Sequence, residues 1–175
     1  MARNIEIKAR IPSIEAVASR AAAMADDGQT PIAQDDTFFV CPHGRLKLRC
    51  FADGHGELIY YQRSDQAGPK QSFYLRTRIE TPEVLRESLA LAWGISGRVV
   101  KQRLLYLVGQ TRIHLDEVQG LGSFLELEVV LRDDQSVQDG EREAQRLMQL
   151  LQIAPSQLVE VAYVDLLREK AAAAA

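Results

Sequence analysis

Cysteine is scarce in this chain. Cys41 and Cys50 are its only two, too few for a disulfide framework. They lie close in sequence to His43 and His55, but the spacing matches no zinc-ligand pattern, so half-buried or buried free thiols are expected. Residues 1–30 lack a basic start followed by an apolar run, so no export signal is expected. No apolar stretch approaches the length of a membrane span. A cytoplasmic protein with no membrane partner is the expectation. An excess of positive charge is also missing: the formal net charge is −3, which gives no overall attraction to nucleic acid. Any anion site must therefore be a local cluster. There is no solenoid repeat, no low-complexity linker and no Gly-rich P-loop pattern.

What is present is a chain of 175 residues, 46% hydrophobic and 26% charged, suited to one domain with its own core. Residues 1–170 are read as that domain, and Ala171–Ala175 as a frayed end or helix extension. Alternation of apolar and polar residues predicts strands at 4–11, 34–40, 45–51, 57–63, 71–79, 98–108, 110–118 and 123–131. Helices are expected over 14–24 with Ser13 as cap, over 82–93 after Thr81-Pro82-Glu83, over 140–151 capped by Asp139, and from Pro155-Ser156 to Glu169. Trp93 reads as core. The fold class is α+β, with antiparallel strands joined by short turns.

The strands carry their charge on one face. Asn4, Glu6, Lys8 and Arg10 share a side in the first; Arg45, Lys47 and Arg49 do so in the third. Lys101 and Arg103 form another such set, as do Arg112, His114 and Asp116, and Glu126 and Glu128. For any single strand a solvated face is the simpler reading. Together, however, the charges sort by sign: basic around 47, 63, 101 and 112, acidic around 126. Such strands can curl into a barrel with the apolar side packed outward against helices and the ionic side lining the interior. Crowded Lys and Arg would be expensive to bury unless they met a polyanion, and Arg offers phosphate a bidentate fork. Carboxylates beside them call for a divalent cation.

These residues resemble the CYTH family, the triphosphate tunnel metalloenzymes. Its Glu-x-Glu-x-Lys signature stands here as Asn4-Ile5-Glu6-Ile7-Lys8. Asp36-Thr37-Phe38-Phe39, Arg45-Leu46-Lys47-Leu48-Arg49, Lys101-Gln102-Arg103, Arg112-Ile113-His114-Leu115-Asp116 and Gly120-Leu121-Gly122-Ser123-Phe124-Leu125-Glu126-Leu127-Glu128 follow in family order. The resemblance implies a closed antiparallel β-barrel, Mg²⁺ or Mn²⁺, and a triphosphate substrate such as ATP or inorganic triphosphate; it also allows a homodimer. By position it implies Glu6, Glu126, Glu128 and Asp116 as metal ligands. It implies Lys8, Lys47, Arg49, Arg63, Lys101, Arg103 and Arg112 as the phosphate clamp. Asp116 or Lys8 would serve as base. Asn4 departs from the pattern: its amide adds no negative charge, which implies a weaker or smaller metal complement.

Motif wording and length are most similar to class IV adenylyl cyclases, which convert ATP to cyclic AMP and pyrophosphate. The alternatives are a triphosphatase using the same clamp, and a polyphosphate- or nucleotide-binding protein that does no chemistry.

Overall fold

Strand alternation governs the architecture, and the first strand shows how. In the computed structural model, which describes residues 3–63 and 69–174 (of Arg63 the backbone only), β1 spans Arg3–Arg10. Its Ile5, Ile7 and Ala9 enter an apolar core, while Glu6 and Lys8 line a cavity on the opposite face. Seven more strands follow: β2 (Thr30–Phe39), β3 (Arg45–Phe51), β4 (Gly56–Arg63), β5 (Lys70–Ile79), β6 (Ile95–Val108), β7 (Thr111–Val118) and β8 (Gly122–Leu131). All pair antiparallel in the order β1-β5-β4-β3-β2-β6-β7-β8, and β1 meets β8 to close the barrel. Each strand thus has a neighbour on both sides, although β1 and β5 pair only over Arg3–Glu6 and Lys70–Phe73.

Because the interior is polar, the main core lies outside the barrel. Ile5, Ile7, Ile113, Leu115, Leu125 and Leu127 present a continuous outer apolar surface from β1, β7 and β8. Two helices cover it: α1 (Glu15–Met24) through Val17 and Ala21, and α3 (Val137–Leu150) through Ala144, Leu147 and Met148. Gly140 sets the approach of α3. A Cβ there would stand 2.6 Å from both Ile5 Cγ1 and Leu131 Cδ2, closer than carbon atoms pack. Helix α2 (Pro82–Trp93) lies over β2 and β3.

A second apolar cluster joins Phe38, Val99, Val118 and Phe124 to Ala162, Tyr163 and Val164. The last helix, α4 (Tyr163–Ala173), starts there. The expected helix from Pro155-Ser156 is not continuous. Pro155–Gln157 makes one 3-10 turn, and the chain then runs extended along β1, where Leu158 bridges Ala9 and the Val159 N–H donates to the Lys8 carbonyl at 2.9 Å. Those backbone bonds outcompete the helical ladder over residues 158–162.

Smaller differences have local causes. Helix α3 begins three residues before the expected start: Ser136 caps it, and Asp139 returns the bond from within the first turn as a capping box. Ser13 accepts from the Ala16 N–H at 3.3 Å, although the helix itself opens at Glu15. Thr81 makes no side-chain cap bond. Trp93 is 55% exposed rather than core, because none of the described elements covers the α2 face carrying it. Cys41 and Cys50 are free and half-buried.

Candidate functional site

The barrel encloses a cavity of about 350 Å³ lined from all eight strands. Among the described residues, seven basic side chains and five carboxylates face it. Strand alternation turns these side chains to one face, and on β1, β7 and β8 the intervening residues enter the outer core.

Four of the basic residues form two matched sets. On β3, Lys47 and Arg49 grip Asp36 of β2: Lys47 Nζ lies 2.6 Å from Oδ2, and Arg49 forks onto both oxygens at 2.7 and 2.8 Å. On β6, Lys101 and Arg103 grip Asp116 of β7: Lys101 Nζ donates to Oδ2 at 3.0 Å, and Arg103 forks onto both oxygens at 2.6 Å. Each aspartate is the direct cross-strand neighbour of its arginine. Two residues of spacing put Lys and Arg on one face, and the aspartate between them orients both heads.

Burial pushes the Asp36 carboxyl upward, but Arg49 and Lys47 outweigh it and hold it well below the usual carboxylate range. Asp116 is depressed in the same way, burial being overcome by Arg103 and Lys101. For the lysines burial wins. Lys47, crowded also by Arg49, falls to about 7, and Lys101 is lowered by burial and by Arg103. Two cations share one aspartate in each set, so a lysine is the group that yields its proton most readily.

Three of the carboxylates lie on the adjacent strands β1 and β8. Glu6 of β1 stands directly opposite Glu128 of β8, and Lys8 opposite Glu126. Lys8 lies 3.3 Å from Glu126 Oε1, and Arg103 donates to Glu126 Oε2 at 2.6 Å. Burial would raise Glu126, yet Lys8, Lys101 and Arg103 drive it well below its ordinary value. Glu128 accepts from Arg112 at 3.0 Å and from the Asn4 amide, and Glu6 accepts from Ser72. Burial and the nearby Arg103 lower His114 well below the ordinary histidine value, so it lines the cavity as a neutral ring at pH 7.

Most of the residues singled out in the sequence are brought together. Glu6, Lys8, Lys47, Arg49, Lys101, Arg103, Arg112, Glu126 and Glu128 all line the cavity. The Arg63 side chain falls outside the described residues. Asp116 behaves differently from the expectation of a base and metal ligand: it is 0% exposed, lies off the cavity behind Lys101 and Arg103, and also accepts from Tyr163. Its oxygens accept from three donors, Lys101, Arg103 and Tyr163. Arg45, on the same strand face as Lys47, instead forks onto Asp165 of α4 at 3.0 and 2.6 Å.

Two contributors carried no separate signal. Asp36 belongs to the Asp36-Thr37-Phe38-Phe39 motif, and an acid on the strand before a Lys-x-Arg strand is a readable cue. Tyr163 was hidden by the misplaced start of the last helix. Its ring lies 4.0 Å from Lys8 Nζ and 5.0 Å from Lys101 Nζ, and the backbone just before it accepts from Lys8 at Val161 and from Lys70 at Glu160.

Glu6, Glu126 and Glu128 are hard oxygen donors of the kind Mg²⁺ or Mn²⁺ takes. Like charges directly opposed, as in Glu6 and Glu128, favour an intervening cation. Asn4 adds a fully buried carbonyl oxygen with no hydrogen-bond partner among the described residues. Among those residues no three His, Cys, Asp or Glu side chains yet converge on one point. The donor types therefore fit a divalent cation, with Glu126 and Glu128 engaged by basic side chains and Glu6 by the Ser72 hydroxyl.

The CYTH domain family model matches residues 2–163. No curated protein matches the chain. Among solved structures, PH1012 from Pyrococcus horikoshii OT3 is similar with a TM-score of 0.82 at 21% identity, covering 93% of this chain and 98% of that one. A candidate adenylate cyclase from Vibrio parahaemolyticus reaches 0.75 at 18% identity, covering 94% and 97%. A candidate adenylyl cyclase from Hippeastrum, described as having a dominant triphosphatase activity, reaches 0.69 at 16% identity, covering 97% and 96%. At these identities the likeness is one of fold.

Proposed function

Because the chain belongs to the CYTH family, we propose that it is an enzyme that binds a triphosphate in its barrel, with a divalent cation, and transfers a phosphoryl group to water. The observation that carries this reading is the pair of Lys-x-Arg sets, each locked to an aspartate and both facing one cavity. Phosphoryl transfer asks a protein mainly for positioning and charge stabilisation. Arg49 and Arg103, each fixed by its aspartate through Nε and Nη2, are oriented to offer their remaining N–H groups to phosphate oxygens, and Lys47, Lys101 and Lys8 supply point charges. Glu6, Glu126 and Glu128 would hold the cation, which when bound would neutralise phosphate oxygens and acidify a water. Asp116 acts as a positioning residue for Lys101 and Arg103. Lys47, whose pKa falls to about 7, supplies a phosphate-binding charge that depends on pH near neutrality.

Cyclisation of ATP is the second reading. It is favoured by an apolar stretch of the lining, Ile32, Phe51 and Leu105, against which a nucleoside can pack. Incubation with Mg²⁺ or Mn²⁺ and either inorganic triphosphate or ATP separates the readings. Orthophosphate from triphosphate supports hydrolysis, and cyclic AMP with pyrophosphate supports cyclisation. Tight binding of both without turnover would remove both enzyme readings for these substrates and leave binding alone.

A further inference from the structure

The side chains suited to hold phosphate are the same ones that hold the carboxylates. Arg112 donates to Glu128, whose other oxygen accepts from the Asn4 amide. Lys8 pairs with Glu126, which also accepts from Arg103. None of these contacts survives full engagement of the same cation with a phosphate oxygen in its place. Counting Asp116 just behind the wall, the described charges around the cavity are seven positive and six negative. A lone dication meets a net positive enclosure in which its ligands are already neutralised. A lone polyanion meets carboxylates that repel it. Both costs are large where the surroundings exclude water.

We propose that a divalent cation and the triphosphate bind this cavity as a thermodynamic unit, each raising the affinity of the other. Phosphate draws Arg112 and Lys8 off Glu128 and Glu126, and the freed carboxylates take the cation. Asn4 tunes the coupling: a neutral amide holds Glu128 in place without adding the negative charge that would let a cation bind alone. This inference rests on the triphosphate reading above. Coupling of this kind is reciprocal and commonly amounts to about 5- to 150-fold.

The test measures binding rather than turnover. Mn²⁺ binding to the protein is followed by electron paramagnetic resonance. Binding of a bis-methylene analogue of inorganic triphosphate is followed by calorimetry, with and without Mn²⁺, after correction for the complex the two form in solution. Wild type is expected to bind Mn²⁺ alone weakly, and at least about tenfold more tightly with the analogue present. Arg112→Gln releases Glu128, so Mn²⁺ alone should bind this variant about tenfold more tightly than wild type while the analogue binds less tightly; a merely structural role for Arg112 would weaken both. Asn4→Asp, which keeps the side-chain shape, should also bind Mn²⁺ alone more tightly, and it decides the matter by itself if Arg112→Gln fails to fold by circular dichroism. The proposal is overturned if wild type binds Mn²⁺ equally with and without the analogue, or if Asn4→Asp leaves Mn²⁺ affinity unchanged. Failure of wild type to bind the analogue under any condition would instead sink the triphosphate reading beneath it.

Discussion

Tyr163 donates its hydroxyl to Asp116 Oδ2 at 3.0 Å, so the residue that opens the last helix is tied to the aspartate that orients half of the basic wall. Tyr163→Phe keeps the ring against Lys8 and Lys101 and loses only this bond. It should cost about 1 kcal/mol in denaturant unfolding. Tyr163→Ala should cost about 3 kcal/mol or more and weaken triphosphate binding, because both lysines lose the ring that positions them. An alanine variant with wild-type stability would contradict this role.

Asp36 should be as important as Asp116. Asp36→Asn leaves Lys47 and Arg49 buried beside a neutral partner, a loss of about 3–5 kcal/mol. Added inorganic triphosphate should then raise the melting temperature of this variant by more than it raises that of wild type, since the anion replaces the missing charge. Equal shifts would mean that the two basic side chains do not face the ligand.

Lys47 makes triphosphate affinity pH-dependent. Its pKa is lowered to about 7 by burial and by Arg49, and a bound phosphate would raise it. Free and bound forms are both protonated below about pH 7, so affinity there does not vary with pH through this group. Above about 7 binding must take up a proton, and affinity should fall by up to about tenfold per pH unit until the bound pKa is reached. Calorimetry in buffers of different ionisation enthalpy should show the uptake, and Lys47→Met should abolish it. For folding the sign follows from the same depression: between about 7 and the unfolded lysine value the folded state binds fewer protons. Stability from this group therefore declines as pH falls toward 7 and is level below it.

Glu126→Gln should lower turnover by about 100-fold or more, since the variant loses a cation ligand and the partner of Lys8 and Arg103 together. Lys8→Ala should do likewise. Circular dichroism should show both variants folded; full activity in Glu126→Gln would refute the assignment.

Gly140→Val tests the outer core apart from the site. The added side chain would be driven into Ile5 and Leu131, costing about 1–3 kcal/mol by overpacking. Turnover at a temperature where the variant stays folded should be unchanged, because α3 touches the barrel wall from outside.

The strands were legible because period-two alternation survives in any context that buries one face. RNIEIKAR, RLKLRCF and SFLELEVVL all lie where that pattern puts them, with β2 and β6 only lengthened at their starts. The closed barrel and its polar interior followed from the sorting of charge by sign together with the family motifs. Less legible were features set by partners distant in sequence. The stretch 158–162 has ordinary local propensities, but β1, some 150 residues away, supplies its hydrogen bonds. Trp93 reads as core on hydrophobicity, yet none of the described elements covers it.

The sequence by itself determined which residues share a face, which motifs recur in family order, and that Asn4 stands where a carboxylate is expected, because spacing along a strand is a local property. Only the tertiary structure decided how the charges pair. Asp116, next in line after Arg112 and His114, turned out to be enclosed by Lys101, Arg103 and Tyr163, whereas Asp36 proved its counterpart on the other wall. Strand register across the closed barrel sets those distances, and register is a property of the partners each strand finds rather than of the strand alone.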